Sequence, residues 1–171
     1  MSNDALWIEL TSITKAEGAV LQVEKEIPAV AFYEVYKELP LCTGVTLKGS
    51  ITNLSGNLFL KGTLDFTFLF ECDRCLKEFR EDYSIEINEV IAKEGSDFEE
   101  DEYIPYSSNK VLLTEGIYKC IYPLTLDKHI CKEDCKGLCT KCGCNLNEKD
   151  CGCEDDEIDP RLEKLKDFFK N

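Results

Sequence analysis

The feature that most constrains this chain is a cluster of cysteines near its C-terminus. Seven of the eleven cysteines lie within the 23 residues from Cys131 to Cys153. This stretch reads CKEDCKGLCTKCGCNLNEKDCGC, and it holds almost no apolar side chains apart from the cysteines. A segment of this composition has no hydrophobic core to fold around, so its structure has to come from cross-links or from bound metal.

Metal binding explains these cysteines better than disulfide bonding does. The N-terminal residues MSNDALWIELTS have neither the basic start nor the apolar stretch of a secretory signal. No apolar run approaches the ~20 residues of a membrane span. We therefore expect a soluble, cytoplasmic protein, and disulfides rarely persist in that reducing compartment. The odd cysteine count also fits a complete set of disulfides poorly.

The spacing of four of these cysteines predicts a zinc site. Cys139 and Cys142 form a CxxC pair followed by glycine, which is the backbone turn of a zinc knuckle. Cys151 and Cys153 supply two further ligands after a polar, turn-prone stretch. Four thiolates fill the tetrahedral shell of zinc and leave no position for a catalytic water, so the site is expected to be structural.

A second CxxC pair, Cys72 and Cys75, predicts a second site. By itself the pair could be half of a metal site, a redox pair or incidental. A redox CxxC usually opens a helix, whereas this one lies between two strand-like stretches, LDFTFLFE and LKEFRED. As partners we expect Cys135 and either Cys131 or His129. Such a site would clamp the cysteine-rich segment onto the sheet.

The expected metal is zinc, as one or two ions. An iron–sulfur cluster is less favoured because the chain lacks a CxxCxxC run. Cys144 belongs to neither predicted site.

The first part of the chain predicts an α+β fold with a β-rich, antiparallel sheet or partial barrel. Shorter strands are expected at LWIEL and AVLQVEKEI, and residues 29–40 fit a strand or a helix. Gly49 and Gly62 are expected to mark bends or bulges. Alternating apolar and polar residues predict three long antiparallel strands, at 45–53, 57–72 and 79–92.

Two helices complete the expected fold. A short helix is predicted with Thr114 as its N-cap and Pro123 at its end, packing on the sheet. A C-terminal amphipathic helix is predicted with Asp159 as N-cap and Pro160 at its first position. The chain is therefore expected to form a β-rich domain (1–126) and a cysteine-rich, zinc-ribbon-like module with the C-terminal helix (127–171).

The charge distribution indicates which partners to expect. The net charge is −14, and residues 64–110 hold fourteen acidic and five basic side chains. The acidic run from Asp97 to Glu102 lies in a polar stretch that we expect to be a loop, and a second acidic run follows Cys153. These runs either favour basic partners or are simply solvated. Residues 128–149 are mildly basic, with five lysines against three acidic residues, and Arg74 and the C-terminal stretch RLEKLK add to that charge. The candidate contacts to RNA or another partner are Arg74, Lys136, Lys141 and Arg161. The alternative is that these side chains only solvate the module.

Three stretches together give the chain a family resemblance. FLFECDRCLKEF, CKGLCTKCGCNLNEKDCGC and DPRLEKLKDFF resemble the YceD family of bacterial proteins, also called large ribosomal RNA subunit accumulation proteins. The resemblance covers residues 45–171. It departs at Cys144, where an ordinary residue is expected, and at Thr140, where the family commonly has proline. The resemblance implies a role in producing or accumulating large-subunit rRNA, with no enzyme activity attached.

Three functions are compatible with the sequence. The favoured one is a non-enzymatic assembly factor that binds precursor large ribosomal subunits, rRNA or a basic ribosomal protein, with no membrane partner and no small-molecule substrate. The second is a thiol–metal protein that delivers zinc or senses oxidation. The third is an rRNA-processing enzyme with Mg²⁺ held by acidic pairs at 99–102 or 154–157. The third is least favoured because nothing in those polar runs would hold the carboxylates in place.

Overall fold

The computed structural model describes residues 6–33, 35–36, 39–96, 98–99 and 102–153. The described strands are β1 (Trp7–Glu9), β2 (Val20–Ile27), β3 (Val45–Leu54), β4 (Asn57–Glu71), β5 (Glu78–Lys93), β6 (Tyr103–Ser107) and β7 (Lys110–Leu112). The described helices are α1 (Ala29–Tyr33), α2 (Leu113–Ile121) and a 3-10 helix at Tyr122–Leu126. None of the described helices is long and apolar enough to cross a membrane.

The strands form one seven-stranded sheet that curls into a half-barrel. The strand order is β1-β7-β6-β5-β4-β3-β2, and every pairing is antiparallel except β5 with β6. The two edge strands, β1 and β2, line the same cleft of about 240 Å³. The curl of the sheet has therefore brought its two edges toward each other. The expected α+β fold with a partial barrel is confirmed.

The three long strands lie within a residue of their predicted ends, since alternation marks half-buried strands reliably. Within them, Gly49 and Gly62 face each other across β3 and β4 in an unbroken register, so the expected bulge is absent. A Cβ atom on Gly62 would stand 2.3 Å from the carbonyl oxygen of Lys48, and one on Gly49 would stand 2.2 Å from that of Lys61. The glycines therefore allow two backbones to approach more closely than side chains permit.

Other expectations from the sequence are resolved or corrected. The ambiguous stretch 29–40 begins with a helical turn, α1. The polar stretch expected to be a loop contains β6, because Tyr103 and Ile104 are buried. Helix α2 begins one residue before Thr114, its N-cap is Leu112, and no side chain caps it. Thr114 is wrong as an N-cap because it is buried inside the first turn. The predicted C-terminal helix lies outside the described residues.

The hairpin of β4 and β5 extends beyond the rest of the sheet. Strand β3 pairs with β4 only as far as Asp65, so residues 66–71 and 78–83 form a two-stranded arm. The segment before β3 supports one side of it, where Leu69 N–H donates to the carbonyl of Pro40 at 2.7 Å. Side chains on the inner face of the arm continue the hydrophobic core of the sheet. Aromatic rings dominate that face: Phe66, Phe68, Phe70, Phe79 and Tyr83.

Candidate metal centres

The tip of the arm is a tight turn that carries the first CxxC pair. The backbone N–H of Cys72 donates to the carbonyl of Lys77 at 3.0 Å, and the backbone N–H of Leu76 donates to the carbonyl of Cys72 at 2.9 Å. Leu76 takes a left-handed conformation, with a φ of 57°, that an L side chain rarely adopts. The turn closes around Cys72 and Cys75, both of which are buried.

The cysteine-rich segment, residues 127–153, lies across this tip and is held there by hydrogen bonds that its backbone makes with the turn. Asp73 and His129 exchange two bonds, one from Asp73 N–H to the His129 carbonyl at 2.9 Å and one from His129 N–H to Asp73 Oδ2 at 2.8 Å. Farther along, Leu138 N–H donates to the Arg74 carbonyl at 3.0 Å. Gly137 has a φ of 76°, and a Cβ there would stand 2.9 Å from that same carbonyl. Glycine is thus needed where the segment crosses the turn.

The first cluster brings four sulfurs together from these two parts of the chain. The Sγ atoms of Cys72, Cys75, Cys131 and Cys135 all lie within 4.8 Å of one another. Cys72 Sγ is 3.8 Å from Cys135 Sγ, and Cys75 Sγ is 3.7 Å from Cys131 Sγ. Four sulfurs bound tetrahedrally at about 2.3 Å from an ion are separated by about 3.8 Å. The cluster therefore has the dimensions of a tetrahedral metal site.

Hydrogen-bond donors around this cluster favour the thiolate form of two of its four cysteines, Cys72 and Cys135. Burial opposes ionisation of Cys72, but hydrogen bonds from the N–H groups of Cys131, Arg74 and Cys75 outweigh it and lower the pKa to about 6. The Cys131 N–H lies 3.4 Å from Cys72 Sγ. Burial likewise opposes ionisation of Cys135, and the N–H of Gly137 with the side chain of Asn147 lowers its pKa. These donors would also stabilise the thiolates bound to a cation.

Asn147 supports the first cluster although the sequence analysis did not single it out. Its Nδ2 lies 3.4 Å from Cys135 Sγ, and its Oδ1 accepts from Lys136 N–H at 2.9 Å. Asn145 holds Asn147 in turn, because its Oδ1 accepts from both the backbone N–H and Nδ2 of Asn147. The only signal in the sequence was the turn-forming pattern NLN, and that does not reveal which sulfur the amide meets.

His129, the predicted alternative to Cys131, is not part of the four-sulfur group. Its ring stacks on Phe70 with centroids 3.4 Å apart, and its Nδ1 lies 3.6 Å from a carboxylate oxygen of Glu81. His129 thus joins the cysteine-rich segment to the aromatic inner face of the arm. The structure places Cys131 where the fourth sulfur is needed.

The second cluster consists of the four cysteines that their spacing in the sequence predicted as one site. Cys139, Cys142, Cys151 and Cys153 have their Sγ atoms within 4.8 Å of one another. The N–H groups of Cys142 and Lys141 donate to Cys139 and lower its pKa to about 7. Unlike the first cluster, this one is open to solvent, since Cys142 and Cys153 are exposed. Each cluster can hold one ion with four sulfur ligands, but the role of these residues as ligands remains a prediction.

Cys144 is a fifth thiol beside the second cluster. Its backbone carbonyl accepts from Cys139 N–H at 2.8 Å, so it helps to form the knuckle through its main chain. Its thiol has a pKa raised to about 11, first by burial and then by the neighbouring Cys151 and Cys142. This environment keeps the thiol protonated, unlike that of Cys139.

The four candidate contact residues lie in different surroundings. The Arg74 guanidinium donates to the carbonyl of Cys135 at 3.0 Å, so it stabilises the crossing of the two segments. Lys136 and Lys141 are exposed on the cysteine-rich segment. Arg161 lies outside the described residues. A cavity of about 390 Å³ adjoins the first cluster, lined by Cys75, Lys77, Phe79, Cys131, Lys132, Asn145, Asn147 and Glu148.

The chain is similar to several proteins of known sequence. An uncharacterised protein of Mycobacterium leprae is 25% identical over 179 residues, which span 94% of this chain and 76% of that protein. Uncharacterised proteins of Mycobacterium bovis and Mycobacterium tuberculosis are 29% identical over 123 residues. That match spans 70% of this chain but only 59%, less than two thirds, of theirs. No solved structure matches the chain.

The family comparison covers both cysteine clusters. The model of the family described as "Large ribosomal RNA subunit accumulation protein YceD" matches residues 60–169, which is more than half of the chain. These residues include the arm, its CxxC turn and the whole cysteine-rich segment. The chain therefore belongs to the YceD family of large ribosomal RNA subunit accumulation proteins.

Proposed function

We propose that this protein is a non-enzymatic, cytoplasmic ribosome assembly factor. It promotes the synthesis, processing or accumulation of large-subunit rRNA by binding precursor large subunits, through rRNA or through a basic ribosomal protein. The observation that carries the proposal is the family match, which spans residues 60–169 and is associated with large-subunit rRNA accumulation. The family is not known as enzymatic.

In this proposal both clusters hold zinc with a structural role. Cysteine-only ligands suit zinc, and four thiolates leave it no open position for substrate or water. The core of the sheet and the first cluster are separate groups of buried residues. The proposed division is into a β-rich domain (1–126) and a zinc module (127–171), and the first zinc ion fastens the module to the arm because its four cysteines come from both parts.

The proposed contact surface is the outer side of the zinc module. Lys136 and Lys141 are exposed there, and Arg161 would belong to the same module. Arg74 contributes by ordering the crossing beneath them. These cations would contact rRNA phosphates locally, while the strongly acidic remainder of the protein discourages non-specific binding to RNA.

Sedimentation of the tagged full chain in cell extract, across a salt series, tests the proposal. Co-migration with precursor large subunits that weakens as salt rises is expected, because contacts to phosphate are lost as counterions accumulate. Lys136→Ala with Lys141→Ala should reduce co-migration, while Lys15→Ala with Lys48→Ala, on the β-rich domain, should leave it unchanged. Migration as a free small protein at every salt concentration would contradict the proposal.

The exposure of the second cluster favours one alternative, a protein that delivers zinc or senses oxidation. Cys142 and Cys153 are exposed, and the additional thiol of Cys144 lies nearby. Competition with a chromogenic chelator separates the two functions. A structural site should retain stoichiometric zinc until the module unfolds, whereas loss of zinc from the second site with hydrogen exchange unchanged would favour delivery or sensing.

A further inference from the structure

Strand β5 has a long edge with no strand beside it. Its residues 78–89 pair with β4 on one side only, since β6 begins to pair with β5 at Val90. Within the described parts of the chain, no other backbone group hydrogen-bonds to residues 78–89. We call residues 78–89 of β5 the free edge. Its outward N–H and C=O groups have no backbone partner among the described residues, and such a row is a template for an added strand.

The free edge is strongly acidic. It carries five acidic residues, Glu78, Glu81, Asp82, Glu86 and Glu89, against a single base, Arg80. The side chains of Glu78, Asp82 and Glu86 are exposed. Among the described residues, none of these three carboxylates lies within ion-pair distance of a cation. The negative charge of this strand is therefore available to a partner.

The neighbouring strand adds an unfavourable charge pair to the same surface. Glu71 of β4 stands directly opposite Glu78 of β5 in the antiparallel register, and both are exposed. Like charges directly opposite each other destabilise a sheet. A cationic side chain from a partner strand would relieve this repulsion, so the arm should prefer a positively charged partner.

We propose that the free edge binds an extended, lysine- or arginine-rich segment of a partner protein, which pairs with β5 as an eighth strand. This rests on the proposed function and deepens it, because it names the chemistry of a basic ribosomal protein and the place where it docks. Backbone hydrogen bonds supply the pairing, and the carboxylates select basic side chains on the exposed face.

Other occupants fit the free edge less well. A second copy of this chain would bring the same carboxylates against each other, so like-charge repulsion opposes pairing of two free edges. Nucleic acid would place phosphates against five acidic side chains, and it cannot form the strand hydrogen bonds. Among the described strands, β2 pairs only with β3, and its other edge faces the cleft shared with β1.

The test uses the full chain and capped ten-residue peptides. One peptide alternates lysine and valine, and a charge-matched control alternates lysine and proline, because proline cannot donate to a strand ladder. We expect the lysine–valine peptide to bind at least about tenfold more tightly, since only this peptide can pair as a strand. We also expect it to protect the amides of residues 78–89 from hydrogen exchange and to bind more weakly as salt rises.

A charge variant and a matched control locate the site. Glu78→Gln with Asp82→Asn and Glu86→Gln should weaken binding about tenfold, because each exposed ion pair contributes about 0.5 kcal/mol. The Asp82→Asn side chain keeps an oxygen that can accept from Thr67 Oγ1, as Asp82 does at 2.8 Å. Glu9→Gln with Glu24→Gln and Glu26→Gln removes the same charge near the cleft between β1 and β2 and should leave binding unchanged.

Each of the following results would overturn the inference. Equal binding of the two peptides would mean that charge alone attracts them. Protection on β2 rather than β5, or equal loss in both charge variants, would place the site elsewhere. Displacement of the peptide by a single-stranded uridine oligonucleotide that protects residues 78–89 would identify RNA as the occupant. If the peptide fails to bind while the full chain still sediments with precursor subunits, this inference fails and the proposed function stands. If the peptide binds the free edge but the full chain does not sediment with precursor subunits, only the proposed function is refuted.

Discussion

At the scale of single residues, Gly62 sets how closely β3 and β4 approach. A Cβ there would stand 2.3 Å from a backbone oxygen and 2.8 Å from the Cα of Gly49, and neither atom belongs to a flexible side chain. Gly62→Ala therefore has to separate the two strands locally. We expect a loss of about 2 kcal/mol in the free energy of unfolding, measured by urea denaturation. The exposed neighbour provides the control: Thr63→Ala should change stability by less than about 0.5 kcal/mol. Equal stability of the two variants would refute the close approach.

Two cysteines should differ sharply in reactivity because their surroundings act in opposite directions. Burial first, and then the carboxylate of Glu89, raise the pKa of the Cys120 thiol to about 12. Backbone N–H groups lower that of Cys139 to about 7. In metal-free protein the cysteine-rich segment is expected to unfold, so at pH 8 Cys139 is exposed and ionises as a free cysteine does, whereas Cys120 stays in the β-rich domain almost entirely as thiol.

Iodoacetamide labelling at pH 8, followed by mass spectrometry of the peptides, checks this difference. Cys139 should react much faster than Cys120, because the thiolate is the nucleophile. Glu89→Gln removes the carboxylate beside Cys120, so it should speed labelling of Cys120 and leave Cys139 unchanged. Labelling of Cys120 as fast as Cys139 in the parent protein would contradict the assigned environments.

At the scale of elements, the arm and the cysteine-rich segment are joined by the first cluster. Cys72→Ser should lower bound zinc from two ions per chain to one and release the segment from the arm. The amides of Asp73 and Leu138, which donate across that junction, should then lose protection from hydrogen exchange. Metal analysis and hydrogen exchange measure the two effects in the same sample.

Cys151→Ser is the matched control, because it removes one ligand from the second cluster only. It should also leave one zinc ion per chain, but the amides of Asp73 and Leu138 should stay protected. If both variants expose these amides equally, the two clusters fold as one unit and the first does not act as a separate clamp.

At the scale of the whole molecule, we expect the protein to have two sources of stability, a hydrophobic core and bound metal. The large hydrophobic core lies within the sheet, α1 and α2, and the buried group at the arm tip consists of cysteines. Burial of apolar side chains is independent of metal, whereas a small polar segment takes most of its folding free energy from the bound ion. Removing zinc should therefore unfold one part of the molecule and spare the other.

Exhaustive chelation, followed by hydrogen exchange, tests this division. Amides of residues 127–153 should exchange freely, while those of β3, β4 and β5 below the arm should keep their protection. Restoring zinc should restore protection of the segment. Loss of protection throughout the sheet on chelation would show that the metal sites support the entire fold.

The sequence predicted the long strands and the cysteine groups because each leaves a local signature. Alternation over ten or more residues identifies a half-buried strand, and CxxC spacing brings two sulfurs together on one local turn. Strand β6 left no such signature, because it is only five residues long and directly follows an acidic run; it pairs in parallel with the C-terminal end of β5. The choice between Cys131 and His129 also depended on tertiary structure. The two residues are so close in sequence that either could have reached the tip of the arm.

By itself, the sequence determined which residues alternate in strands and which cysteines group together by spacing, and it predicted that the cysteine-rich part needs metal to fold. These properties depend on neighbours in the chain. Only the tertiary structure decided that the CxxC turn stands at the tip of a projecting arm, that Asn147 supports Cys135, and that residues 78–89 of β5 keep an open edge. Each of these features depends on contacts between segments that are distant in sequence. A local pattern carries no information about which distant segment will lie opposite, so only the packing of the whole chain decides these contacts.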